Sequence, residues 1–346
     1  MEIPKEFYIS EEIATYRDDE KRPAECRIPV QKLFSAYGNL VESGNWEAGT
    51  VALQPINYRE EDSPRLPIPY LKTIRNGPAF WSLAGIHGEE PAGPNALVRN
   101  MDILAELGNH IPVVVFPLCN PSGYVRNWRY FDEFRDHNIG NSVGDSDHLL
   151  LSTKGLNQPR RAEPSSPYAL ALGEKMLELA REYPPLMVID HHEDEDTSRK
   201  RRRTTFYIYA HGHWGYDDCV GKKIVEILLQ HGMKITLSGY TRFGEKIKNG
   251  IIANADDGSI DDFLAAEKIW HLGQIEAGPN VASVVVVENP AVKIKLTSRI
   301  AAHGEIVRNY QELLKIRLAQ EQESCPDLPE TISPLGIKKR PASTAT

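Results

Sequence analysis

The stretch that most limits the fold is "ASVVVVENP", residues 282–290, where β-branched side chains follow one another with no polar residue between them. A strand points successive side chains to opposite faces, so such a run needs apolar cover on both. Four more segments read as strands: Ala79–Ile86, Val113–Leu118, Leu186–Asp190 and Thr205–Tyr209, with Lys234–Leu237 and Ser283–Glu288 completing the set. Between them lie stretches with apolar residues at helical spacing, Pro94–Leu107, Tyr168–Tyr183 and Asp217–His231. A further helix starts near Asp261, and Ser298–Glu321 reads as a C-terminal one. This alternation predicts an α/β fold, a mixed, largely parallel sheet with helices on both faces.

The 346 residues are enough for one large core, and 41% hydrophobic with 25% charged residues is an ordinary globular balance. The expected organisation is an N-terminal extension over 1–49 packed on the main domain, a catalytic domain over 50–315, and a helix end with a loose Pro/Ser/Thr-rich tail over 316–346. The polar, Gly/Pro-rich region 132–166 is expected to form long loops on the active side. A net charge of −8 argues against nucleic-acid or membrane-surface partners. No apolar run approaches a membrane span, and the acidic start "MEIPKEFYISEE" has no secretory pattern. The four cysteines are scattered without a CxxC pair, which excludes a cysteine-built metal site and suits a reducing, cytoplasmic setting. Oligomeric state is left open.

Two apolar runs end in polar bursts. In "SLAGIHGEEPAG", His87 precedes Glu90 by three residues, a spacing that lets one turn offer two donors to one ion, at a strand's carboxyl end where open α/β sheets place their sites. In "PPLMVIDHHEDED", alternation puts Asp190 and His192 on one side and His191 on the other. His192 is the preferred third ligand, with Asp190 as the acceptor that orients an imidazole and His191 in reserve. His87, Glu90 and His192 would thus hold one Zn²⁺ per chain. The basic run Arg199–Arg203 reads as a solvated loop, and "HGHW" at 211–214 as a structured turn.

These segments resemble the zinc carboxypeptidase family and its aspartoacylase and succinylglutamate desuccinylase relatives. "AGIHGEEPAG" is similar to the family's first metal motif, "FPLCNPSGYVRNWRY" to its Asn-Pro-x-Gly strand end, "VIDHHE" to its aspartate-x-histidine third ligand, "GSIDDF" at 258–263 to a substrate-pocket segment, and "SVVVVENP" to the strand ending in the catalytic glutamate. The matches run in family order over about residues 50 to 315. The resemblance implies that Glu288 is the general acid/base, with Glu276 as rival, and that Arg129 stabilises an oxyanion, with Arg126 as alternative. It implies substrate contacts by Asn120, Arg126, Asp147, His148, Ile260 and Asp261. The expected activity is hydrolysis of a peptide or amide bond. The alternatives are deacylation of an N-acyl amino acid and a catalytically silent binding module.

One part of the pattern departs. In "SVGDSDHLL", Asp147 and His148 stand where the family has the Asn and Arg that hold a substrate's terminal carboxylate, and Ala253 stands where it has a tyrosine. Asp147 would repel a free carboxylate, so the expectation is weak activity on free C-termini and a preference for an amine or amide. Arg126, Arg160, Arg161 and Arg242 are the arginines that could supply a substitute clamp.

Overall fold

The computed structural model describes residues 2–15, 27–132, 141–154, 157–194, 205–241, 243–291 and 294–324. The basic run Arg199–Arg203, Arg242 and the tail beyond residue 324 lie outside the described residues.

The helices are α1 (Val30–Glu42), α2 (Ala92–Arg99), α3 (Met101–His110), α4 (Pro121–Arg126), α5 (Pro167–Glu182), α6 (Cys219–Gln230), α7 (Ile260–Ala265), α8 (Leu296–Arg308) and α9 (Tyr310–Ser324). The strands are β1 (Trp46–Pro55), β2 (Arg65–Thr73), β3 (Ala79–Ala84), β4 (Val113–Phe116), β5 (Pro185–Asp194), β6 (Tyr207–Gly212), β7 (Ser238–Tyr240), β8 (Lys246–Lys248), β9 (Ile251–Ala253), β10 (Lys268–His271), β11 (Gln274–Ala277) and β12 (Ser283–Pro290). Ten of them form one sheet in the order β1-β2-β4-β3-β5-β12-β6-β9-β8-β7, and β10 and β11 form a separate ribbon. The centre, β4-β3-β5-β12, is parallel, while β1-β2-β4 and β9-β8-β7 are antiparallel margins.

Both faces of the centre are covered, as the unbroken apolar runs require. Val113, Val115, Met187, Ile189, Val285 and Val287 pack into one core with residues of α1, α3, α6 and α9. Val114, Phe116, Val188 and Val284 point the other way, into a second core with residues of α5 and α7. Residues of α1 and Trp46 share the first core with the central strands, and β1 runs across the 49/50 position. Among the described residues no helix is long and apolar enough to cross a membrane.

Several boundaries differ from expectation. The stretch expected as one helix over Pro94–Leu107 is two, because Asn100 (φ −125°, ψ 36°) leaves helical geometry between α2 and α3. Asn309 likewise separates α8 from α9. Lys234–Leu237 is not a strand: Ile235 makes one bridge to Phe206, Leu237 is exposed, and pairing starts at Ser238. The most consequential difference is β5, which continues four residues past Asp190 because β12 pairs with it through Glu288–His192 and Pro290–Asp194.

Candidate metal centre

His87 stands just past the end of β3. The chain leaves that strand through Gly85 (φ 68°), where a Cβ would lie 3.0 Å from both Leu118 and Pro94, so only glycine turns here without strain. One tight turn follows, with the Glu90 N–H donating to the His87 carbonyl at 3.2 Å, and it sets the two side chains together. His87 Nδ1 lies 2.8 Å from Glu90 Oε1, and His192 Nδ1 lies 3.1 Å from Glu90 Oε2. The three residues have liganding atoms within 4.8 Å of one another. His192 Nε2 sits 3.1 Å from Asp190 Oδ2, so a proton on Nε2 leaves Nδ1 as the free donor. Two imidazoles and one carboxylate are a fitting donor set for zinc with an open fourth position.

The three groups set one another's charge. Burial, with Arg129 beside it, holds His87 below its ordinary value and therefore neutral. Burial opposes the Glu90 charge, yet His87 and His192 hold its carboxyl well below the usual range. Burial also opposes a charged His192, but Asp190 and Glu90 push its imidazole well up.

His191 faces the opposite side of β5, where Nδ1 lies 2.9 Å from His303 Nδ1 and Nε2 lies 2.5 Å from the Tyr310 hydroxyl. Glu193 points the same way. It accepts from the Ala92 N–H at 2.8 Å and pairs with Arg299, both partners being buried.

Across β12, Glu288 pairs in register with His192, so its side chain stands on the same face, beside the candidate ligand. It lines a cleft of about 590 Å³ together with His87, Glu90, His192, Arg129, Ile260 and Asp261. Glu276 is elsewhere: it sits on the β10–β11 ribbon, 3.0 Å from His271 Nδ1, and does not line the cleft. Arg129 Nη1 is 3.2 Å from Glu89 and 3.0 Å from Glu90, which fixes the guanidinium at the rim of the ligand set. Asp261 is 4% exposed, and burial together with Asp190 pushes its carboxyl up to about 8.

The structure places four expected substrate contacts off the cleft wall. Asn120 is fully buried as the N-cap of α4, accepting from the Gly123 N–H at 3.0 Å and donating to the Arg129 carbonyl at 3.1 Å, so it positions Arg129 instead. Arg126 donates to the Ile56 carbonyl at 2.8 Å and stacks on Trp128. Asp147 is paired with Arg161 at 3.2 Å and Arg160 at 3.8 Å, which removes the basis for its repelling a substrate carboxylate. His148 is buried, and burial lowers its imidazole pKa. Asp145, two residues earlier, lines the cleft in their place.

Sequence reasoning missed the third wall. On β6, Tyr207, Tyr209 and His211 fall on alternate positions and all line the cleft, opposite Glu288, Val286 and Val284 of β12. The period-two signal in "YIYAHG" was available. His211 is no turn residue; it is a buried strand residue 3.1 Å from Asp262.

No protein-family model and no curated protein sequence matches the chain. Solved structures do. A candidate metallopeptidase of Shewanella amazonensis is 20% identical over 82% of this chain and 93% of that one, with a TM-score of 0.62. Bovine thrombin-activatable fibrinolysis inhibitor, solved with tick carboxypeptidase inhibitor, is 14% identical over 86% of this chain and 99% of that one, with a TM-score of 0.52. Carboxypeptidase A of Helicoverpa armigera is 13% identical over 84% and 72%, with a TM-score of 0.50. The architecture is therefore that of an α/β chain with a polar cleft at the carboxyl ends of its central strands. More narrowly, the chain has the zinc carboxypeptidase-like fold.

Proposed function

We propose that this chain is a zinc-dependent hydrolase of amide bonds, with peptide or acyl-amino-acid substrates. The observation that carries the reading is the convergence of His87 Nδ1, Glu90 and His192 Nδ1 beside Glu288, which strand register sets next to His192. His87, Glu90 and His192 would hold one zinc ion, which when bound lowers the pKa of water and polarises a carbonyl. Glu288 takes the proton from the attacking water and returns it to the leaving nitrogen, the general acid/base role that needs a carboxylate on the cleft wall. Arg129, fixed by Glu89 and Glu90, offers positive charge to the oxygen that becomes anionic. Asp190 keeps His192 in the tautomer that frees Nδ1.

The test is metal content with a hydrolysis screen. Protein loaded with zinc is expected to bind about one equivalent and to cleave an amide from a panel of peptides and N-acyl amino acids. Cleavage confined to N-acyl amino acids would make it a deacylase. One bound zinc without hydrolysis of any member would make it a silent binding module.

A further inference from the structure

Arg27 precedes the stretch over which the family motifs run, yet its buried side chain reaches the turn that carries His87 and Glu90. One nitrogen, Nη1, donates to the Gly88 carbonyl at 3.2 Å and to the Tyr124 carbonyl at 2.6 Å. The other, Nη2, donates to the Asn127 side chain, and the guanidinium carbon lies 5.1 Å from the centre of the Tyr124 ring. The planar fork thus joins the metal turn to the end of α4, whose C-cap Asn127 stands two positions before Arg129.

The next residue docks in the same place. The Ile28 N–H donates to Asn95 Oδ1 at 2.7 Å, and the Ile28 carbonyl accepts from the Tyr124 hydroxyl at 2.6 Å. Asn95 Nδ2 donates to that same hydroxyl at 2.8 Å. Arg27 and Ile28 are therefore knotted to α2 and α4, and the guanidinium is held at a fixed point behind the turn. On one side the turn has no room to move, because the Gly88 backbone lies against that of Gly123 and Tyr124. On the other, the bond from Arg27 to the Gly88 carbonyl resists its lifting away from α4. Hydrogen bonds from a charged donor are stronger than neutral ones, and these two carbonyls are bonded out of solvent. The turn supplies two of the three candidate ligands, so freedom to lift would weaken metal binding.

We infer that Arg27 is a positioning residue for the metal centre, one that holds the His87–Glu90 turn on α4 and so sets the zinc affinity of the site. The inference rests on the zinc reading of His87, Glu90 and His192, and adds to it a residue that none of the motifs contains. Arg27 acts through the Gly88 main chain.

The test is a competition for zinc between the full chain and a chromogenic chelator, run on wild type, Arg27→Ala and Phe7→Ala. Phe7 packs on Phe34 and Tyr37 of α1 and serves as the control for stability alone. Arg27→Ala is expected to bind zinc on the order of tenfold more weakly or worse, with its fold checked by circular dichroism. Methylguanidinium, shaped like the missing fork, is expected to restore much of that loss, while Phe7→Ala keeps wild-type affinity. Should Arg27→Ala not fold, Arg27→Lys takes its place, with a severalfold loss expected because a compact ammonium lacks the fork that spans the three acceptors. Wild-type zinc affinity in the folded Arg27 variant overturns the inference and leaves the hydrolase reading standing. Equal losses in the Arg27 and Phe7 variants, with no response to methylguanidinium, also overturn it, by reducing Arg27 to general stability. A wild type that binds no zinc overturns the hydrolase reading and the inference with it.

Discussion

On the cleft face of β5, His192 shares Glu90 with His87 and leans on Asp190, while on the opposite face His191 is shut between His303 and Tyr310. Glu90 and Glu193 make a similar pair: one reaches two imidazoles at the cleft, the other is paired with Arg299 and the N-terminus of α2. The chemistry of the side chains is the same on both faces. The difference lies in what surrounds them, since the helical layer on the back supplies partners for both His191 nitrogens and both Glu193 oxygens. Four polar residues in a row thus serve two purposes, binding in front and cohesion behind.

The sharpest way to break this contrast is to remove one histidine at a time. His192→Ala is expected to lose most of the bound zinc, since two ligands hold it poorly, while His191→Ala keeps the zinc and loses about 1–3 kcal/mol of stability. Metal analysis and urea denaturation read the two outcomes, and a metal-free His191→Ala protein would reverse the assignment of the faces. Next in size, Glu288→Gln is expected to lower kcat by about 10²–10⁴-fold with zinc retained, measured by steady-state kinetics on whichever substrate the screen yields. Unchanged turnover would remove Glu288 from the mechanism.

Behind the sheet, Arg299→Ala is expected to cost about 3–5 kcal/mol in urea denaturation, because it strands the buried Glu193 carboxylate. A loss below 1 kcal/mol would mean that water reaches Glu193 and that the back face is less closed than described. The smallest effect concerns His271 on the β10–β11 ribbon. Burial works against its charge, but Glu276 and Glu174 raise its pKa above the ordinary value. A raised histidine adds stability that is complete below about pH 6.5 and fades as pH rises through the folded value. Wild type should therefore exceed His271→Ala by up to about 1 kcal/mol at pH 5.5, and the gap should narrow above pH 7. A gap that widens with pH would give the opposite sign.

The central strands and the opposite facing of His192 and His191 were legible because they depend only on alternation, which "VIDHH" and "SVVVVE" display directly. The margins were not. In β2, "RLPIPYLKT" places prolines at 67 and 69, which reads as a broken strand. In the fold β4 meets β2 only at Leu71 and Lys72, so the prolines occupy a stretch flanked by a strand on one side alone. The helix breaks at Asn100 and Asn309 carry neither proline nor glycine, and nothing local announces them. Asp147 and His148 fall outside the cleft lining, because a position in a motif fixes a residue's place along the chain but not the direction in which its side chain points. The tyrosines of β6 had the right period and lacked a reason to look, since the strand that sets them opposite Glu288 comes 76 residues later.

Gly88 has a further consequence. A Cβ on it would fall 2.0 Å from the Gly123 backbone, and its N–H donates to the Arg129 carbonyl at 3.3 Å. The turn that carries His87 and the segment that carries Arg129 therefore touch main chain to main chain, with no side chain between them to act as a cushion. Neither can shift without displacing the other. This side of the cleft behaves as an anvil, in contrast to Phe243, another lining residue, which stands 69% exposed on the turn between β7 and β8.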